Sequence, residues 1–234
     1  MSGILLVDKP KGWTSNDVCQ FVKQRFRFKK VGHGGTLDPF ATGLLVLYLD
    51  QATRLSCLSL NDEKIYEGVM CLGRKTSTGD SEGNVISHQE ISREIDRIVL
   101  QNVFDSFVGL VWQKPPMTSA IKKNGVPLYR LARKGIEVER ENRKINIYEL
   151  NVKNWSAPFI SFNARVSKGT YIRVLAEDIA EKLGTKAFLS ELRRVASGQF
   201  YIDHAISIDR LKMIHSHEEL SPFIQKTQSL ACNN

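Results

Sequence analysis

The chain has 234 residues, 42% of them apolar and 25% charged, the range of an ordinary soluble globular protein with a sizeable core. Lys and Arg outnumber Asp and Glu by 33 to 25, a net charge of +8 that favours a polyanionic partner. The apolar run "LLVLYL" is far too short to span a bilayer, and the N-terminal "ILLV" is too short for a signal peptide. The four cysteines, Cys19, Cys57, Cys71 and Cys232, form no CxxC pair. The expectation is a reducing cytoplasm, with neither a disulfide frame nor a zinc site.

In chain order, residues 4–8, "ILLVD", read as a short buried strand. "KPKGWTSND" reads as a turn into a helix capped by Ser15 or Asn16. Val18, Phe21, Val22 and Phe26 follow at helical spacing and point to the core, with Lys23, Arg25 and Arg27 on the other face. "KIYEGVMCLG" alternates as a strand, and "TSTGDSEGN" is a loop rich in turn formers. Residues 91–107 have the pattern of an amphipathic helix. Residues 113–150 hold nine basic against four acidic residues, more than half of the excess charge in about a sixth of the chain. A concentrated basic excess is the better polyanion footprint. "FISFNARV" at 159–166 alternates as a strand, and "SKGTYIRVLAEDIAEKLG" is a turn followed by a helix that ends at Gly184. The segment after Phe200 is slightly acidic and is not expected to grip nucleic acid. Repeats and low-complexity linkers are absent from the sequence.

Several familiar chemistries lack their residues. There is no GxxxxGK[ST] phosphate loop, no GxGxxG, no GxSxG elbow and no HxE…PCxxC set. His215 and His217 stand two apart without a cysteine partner and read as surface histidines.

The stretch "GHGGTLDPFATGLLVLYL", residues 32–49, sets one acid, Asp38, among glycines and apolar residues. Asp before Pro is a common helix start, with Asp as cap and Pro at the first helical position. Gly34 and Gly35, however, admit close approach of backbone or ligand, and Pro39 biases Asp38 toward extended backbone. A carboxylate so placed is ionised at neutral pH and is able to act as nucleophile or base. Local sequence leaves both readings open.

"GHGGTLDPFATGLL" resembles the catalytic motif of the TruB family of tRNA pseudouridine synthases. "KIYEGVMCLGRKTSTGDSEG", "PPMTSAIKKNGVPLYRLARKGIEVERENRKINIYEL" and "SKGTYIRVLAEDIAEKLGTKAFLSELRR" follow in the family's order, so the resemblance covers about residues 1–200. It implies an α+β pseudouridine synthase fold, a central mixed, mostly antiparallel sheet flanked by helices and loops. It implies a catalytic domain over 1–200 with a basic RNA-contacting insertion at about 113–150. Residues 201–234 are expected to be a short C-terminal tail without the family's PUA domain. The implied reaction converts uridine 55 in the T loop of tRNA to pseudouridine, with no cofactor and no metal.

By the same resemblance Asp38 is the catalytic carboxylate, and His33 fills the space left by the flipped base. Tyr66 stacks on the base, Arg173 pairs with the carboxylate, and Tyr171 and Leu192 line the uracil pocket. Asp80 is a further candidate for hydrogen bonding there, and Lys122, Lys123, Arg130 and Arg133 are candidate RNA contacts. The implied partner is the T stem-loop of tRNA, met by a cytoplasmic monomer with no membrane attachment. The alternatives are a non-catalytic RNA-binding or RNA-folding protein on the same scaffold, and a synthase acting on another RNA.

Overall fold

The structure, a computed structural model, describes residues 1–91 and 95–226. In chain order it contains strand β1 (Gly3–Lys9), helix α1 (Ser15–Arg25), β2 (Val31–His33), β3 (Thr42–Leu49), α2 (Ser56–Leu60) and β4 (Lys64–Leu72). Then come β5 (Arg74–Thr76), β6 (Val85–His88), α3 (Arg97–Asp105), β7 (Gly109–Gln113), β8 (Lys122–Lys123) and β9 (Val126–Pro127). They are followed by α4 (Leu128–Ala132), β10 (Arg143–Ser156), β11 (Phe159–Val166), α5 (Ile172–Lys182) and β12 (Ala187–Ser197). The last elements are β13 (Phe200–Tyr201), β14 (Ile206–Ser207), α6 (Ile208–Met213), α7 (His217–Leu220) and β15 (Ile224–Gln225). The chain divides into two compact units, Met1–Glu67 with Leu192–Asn234, and Gly68–Glu191. Strands β4 and β12 each begin in one unit and end in the other.

In the first unit, β1 and β3 pair antiparallel with Leu5 opposite Leu47 and Val7 opposite Leu45. β12 joins β3 in parallel at Arg193 and Arg194, and β14 joins β1 in parallel. Leu5, Val7, Leu45 and Leu47 face a core built with Val18, Val22 and Phe26 of α1 and with Ile208, Leu211 and Leu220 of α6 and α7. Ile4, Leu6, Leu44, Val46 and Tyr48 point the other way, into a second core with Ala52 and Phe200. Both faces are covered, so "ILLV" and "LLVLYL" are continuous apolar runs rather than alternating ones. The segment after Phe200 is part of this body, because β14 and β15 both pair with β1.

Helix α1 is capped by Thr14, one residue ahead of the expected Ser15 or Asn16. The Thr14 hydroxyl accepts from Asp17 N at 3.0 Å, and Thr14 N donates to the Asp17 carboxylate at 2.8 Å. This reciprocal capping box outcompetes the neighbouring candidates. Ser15 is free for another task, described below.

In the second unit, β10 pairs antiparallel with both β11 and β7. Ile145, Ile147, Phe162 and Ala164 of these strands are buried, as are Leu100 and Phe104 of α3 and Leu175 and Ile179 of α5. Phe104 meets Phe162 edge-on, 6.1 Å between ring centroids. Helix α3 starts at Arg97, because the Asp96 carboxylate accepts from Val99 N at 2.7 Å and caps it there. The helix expected over 91–107 is therefore shorter, and its residues 92–94 lie outside those described. Helix α5 ends as expected, with Gly184 at φ +78° just past its last turn. Among the described residues no helix is long and apolar enough to cross a membrane.

Candidate active site

The first unit holds His33, Asp38, Tyr66 and Leu192. "DPFATGLL" is not a helix start. Ala41 N donates to Asp38 O at 3.1 Å, closing a turn with Pro39 at its second position, and β3 begins at Thr42. The helix-cap reading of Asp38 is thereby overturned. Pro39 suits the turn, and β3 is an apolar run covered on both faces, which a strand satisfies better than a helix interrupted at Gly43. Leu37 and Phe40 are buried at 3% and 2% exposure and anchor the turn on either side. Asp38 itself is half-buried.

Residues 35–39 lie outside any helix or strand, yet all their carbonyls are engaged. Gly35 O and Thr36 O accept from the Arg194 guanidinium at 3.2 and 3.4 Å. Leu37 O accepts from Ser15 Oγ at 3.1 Å, and Ser15 Oγ in turn accepts from Leu37 N at 2.8 Å. Pro39 O accepts from Gly12 N at 2.8 Å and from the fully buried Lys9 Nζ at 3.3 Å. A loop carbonyl without such a partner costs free energy on burial, so this set of donors holds one backbone path. Gly34 is a packing requirement: a Cβ there would lie 2.7 Å from Ser59 Cβ.

His33 ends β2, and its Nδ1 lies 3.4 Å from Gly35 N, which donates to it. Burial first, and the Arg194 charge second, push the His33 pKa below its ordinary 6.5, so the ring is neutral at pH 7. Tyr66 and Leu192 are buried, each 8% exposed.

The second unit holds Asp80, Tyr171 and Arg173. Arg173, near the start of α5, is 4% exposed, and its Nη1 stands 3.4 Å from Asp80 Oδ2. Nη1 also donates to Thr78 O at 2.8 Å and Thr118 Oγ1 at 2.6 Å, and Nη2 donates to Thr118 O at 3.0 Å. Asp80 accepts from Thr78 Oγ1 at 2.6 Å and Glu82 N at 3.0 Å. Both charges are thus buried, paired and hydrogen-bonded, which an isolated buried ion requires. Tyr171 is held by Gln113, whose amide oxygen accepts from Tyr171 N at 2.8 Å while its amide nitrogen donates to Tyr171 O at 3.1 Å. Sequence reasoning missed Gln113 and Thr118, and also Lys9, Ser15 and Arg194. "PPMTSA" and "ELRR" were visible as motifs, but a side chain that grips backbone leaves no residue pattern.

Lys122, Lys123, Arg130 and Arg133 are all exposed. Lys122 and Lys123 form β8 of the small β8–β9 hairpin, and the Arg133 guanidinium lies 5.6 Å from the Tyr129 ring centroid. Together with Arg140 and Arg143 the two lysines line a cavity of about 350 Å³. Among the described residues no three His, Cys, Asp or Glu side chains cluster as a metal site would.

Farther along α5, burial and the nearby Glu177 and Glu181 push the Asp178 pKa from 3.8 up to about 6, with Lys75 opposing. The unfolded carboxyl titrates lower, so stability is gained as pH falls through 6 toward 4 and the full cost is present above pH 6. Asp178→Asn is expected to raise unfolding stability by about 1–2 kcal/mol at pH 7, after discounting for solvent at this half-buried site. It should also flatten the wild-type gain between pH 6 and 4. Urea unfolding at pH 7 and pH 5 measures both, and an unchanged midpoint at pH 7 contradicts the assignment.

Comparison with known proteins adds to this geometry. The model of the TruB family pseudouridylate synthase N-terminal domain matches residues 23–172, and that of the tRNA pseudouridylate synthase B C-terminal domain matches residues 173–230. Residues 201–230 therefore fall within a family domain. The tRNA pseudouridine synthase B of Geobacter sulfurreducens is 46% identical over 212 residues, 91% of this chain and 69% of the relative. That of Syntrophotalea carbinolica is 44% identical over 214 residues, 92% of this chain and 70% of the relative. Among solved structures, a chain in the crystal structure of a Cbf5-Nop10-Gar1 complex superposes with a TM-score of 0.74 at 29% identity. The match covers 96% of this chain and 60% of that one. Matched over nearly all its described length, and with the mixed, mostly antiparallel α+β sheet that the motifs led one to expect, the chain belongs to the TruB family of pseudouridylate synthases.

Proposed function

We propose that the chain isomerises uridine 55 in the T stem-loop of tRNA to pseudouridine, with Asp38 as the catalytic carboxylate, acting as a monomer in the cytoplasm. The bond from ribose C1′ to N1 breaks and a bond from C1′ to C5 forms. The proton leaves C5, and N1 gains one. Atoms and oxidation state balance within one nucleotide. The observation that carries the reading is the turn at Asp38, an irregular loop with every carbonyl from 35 to 39 engaged and a half-buried acid at its centre. A helix cap needs no such framework.

A base inside a folded T loop is out of reach of any side chain, so it must be flipped out at a cost of a few kcal/mol. Tyr66 stacks on the flipped base and offsets roughly 1–3 kcal/mol of that cost. His33, neutral at pH 7, occupies the space the base leaves. Leu192 and Tyr171 line the uracil pocket, and Arg173 pairs with Asp38 and holds it ionised and aimed. The free thiols of Cys19, Cys57 and Cys71 suit a reducing compartment.

The test is a T-arm transcript incubated with the protein and mapped for pseudouridine. Conversion at position 55 alone supports the reading, and no conversion, or conversion elsewhere, contradicts it. The exposed basic residues of the 113–150 segment supply phosphate contacts. Lys122→Ala and Lys123→Ala are each expected to weaken binding and to lower the slope of log affinity against log salt by about 0.7–0.9 per lost contact. Titrations at several salt concentrations read the slope, and an unaltered slope removes these lysines from the RNA surface.

A further inference from the structure

We propose that Arg194 and Ser15 are positioning residues for Asp38, acting on it through the backbone of residues 35–44; this rests on the catalytic role of Asp38 given above. Arg194 is 2% exposed, among the largest fully buried side chains. Its Nε donates to Leu44 O at 2.8 Å, Nη2 to Gly35 O at 3.2 Å and Nη1 to Thr36 O at 3.4 Å. The one guanidinium therefore ties both ends of the Asp38 loop together. Among the described residues its acceptors are carbonyls and none is a carboxylate.

A permanently charged group buried without a counter-ion is costly, and a packed apolar side chain commonly serves stability as well or better. Stability alone is thus a poor reason for Arg194. What an apolar residue lacks is donors, and the loop carbonyls at 35 and 36 have no strand or helix partner to replace them. Gly43 completes the device. It sits at φ +102°, and a Cβ on it would meet the backbone nitrogen of Arg194 at 2.8 Å. Only glycine lets β12 run this close beside the start of β3 and bring the guanidinium beneath the loop. Ser15, 2% exposed, grips the middle of the same loop with one hydroxyl that both donates to and accepts from Leu37. The residues on either side of Asp38 in the chain are therefore held from β12 and from α1.

Strand alternation supplies an internal control. Arg193, next door, turns away and pairs with Asp8 at 2.8 and 3.1 Å, and its hydrogen bond to the loop region is a long one to the Thr42 hydroxyl at 3.5 Å.

The experiment is steady-state turnover of a T-arm transcript by Arg194→Lys, Ser15→Ala, their double variant, Arg193→Lys and Asp38→Asn, each checked for cooperative thermal unfolding above the assay temperature. Lysine keeps the charge and much of the volume but not the fork. Arg194→Lys is expected to lose about 10²-fold in kcat with KM within about threefold, the signature of a misplaced reacting group rather than lost binding. Ser15→Ala should lose about tenfold in kcat in the same manner. The double variant should lose less than the product of the two, since both act on one loop. Arg193→Lys should stay within about twofold of wild type. A folded Arg194→Lys or Ser15→Ala with wild-type kcat, a loss carried by KM, or an equal loss in Arg193→Lys overturns the proposal. If Arg194→Lys fails to fold, Ser15→Ala decides alone. An inactive Asp38→Asn beside a fully active Arg194→Lys would refute the clamp and leave the catalytic reading standing, whereas an active Asp38→Asn would overturn both.

Discussion

Asp38→Asn is expected to abolish pseudouridine formation, by roughly 10⁴-fold or more, the upper end of what a positioned acid–base group supplies. The substitution is nearly isosteric. It leaves the Asp38 carbonyl in its turn with Ala41 N and leaves the donors to residues 35–37 and 39 untouched. Stability should therefore change by no more than about 1 kcal/mol. RNA affinity should hold within about threefold, because the proposed phosphate contacts are other residues. Loss of turnover with fold and binding retained isolates the carboxylate as chemistry. Wild-type turnover would reduce Asp38 to a turn residue.

Arg173 carries the second large effect, and here stability and activity separate. Arg173→Met keeps the aliphatic stem but strands the Asp80 carboxylate at 4% exposure. Breaking a buried pair from one side costs about 3–5 kcal/mol, since the remaining ion loses its counter-charge. Adding Asp80→Asn removes that ion and should restore most of the lost stability. On the role proposed for Arg173 toward Asp38, turnover should not return, because the guanidinium fork is still missing and misplacement of a reacting group costs about 10²-fold. Urea unfolding and single-turnover conversion of the single and double variants read the two quantities. A double variant with recovered turnover would make the Arg173–Asp80 pair scaffold alone.

The sequence was most legible where one local rule dominated. The buried strands β1 and β3, helix α1 with Val18, Val22 and Phe26 inward, and the end of α5 at Gly184 all follow from apolar spacing and glycine. Local rules failed where two residues competed for one role or where the partner was distant in the chain. Thr14, Ser15 and Asn16 all suit a helix cap, and only the reciprocal bond with Asp17 selects Thr14. "DP" suits a cap and a turn equally, and the covered β3 strand decides for the turn. Asp80, a candidate for hydrogen bonding in the uracil pocket, has Arg173, 93 positions away, as an ionic partner that no local pattern shows. "ELRR" shows two arginines, but pairing with β3 sends Arg193 to Asp8 and Arg194 to the loop carbonyls. The motifs named the members of the candidate site, whereas the side chains that hold its backbone in place became visible only in three dimensions.

One measurement bears most directly on the central claim: nucleotide-resolution pseudouridine mapping of a single T-arm transcript after exposure to wild-type protein and to Asp38→Asn, with bound RNA quantified in the same samples. Pseudouridine at position 55 with the wild type, none with the variant, and equal bound RNA in both is the predicted result. Pseudouridine formed equally by the variant would contradict it.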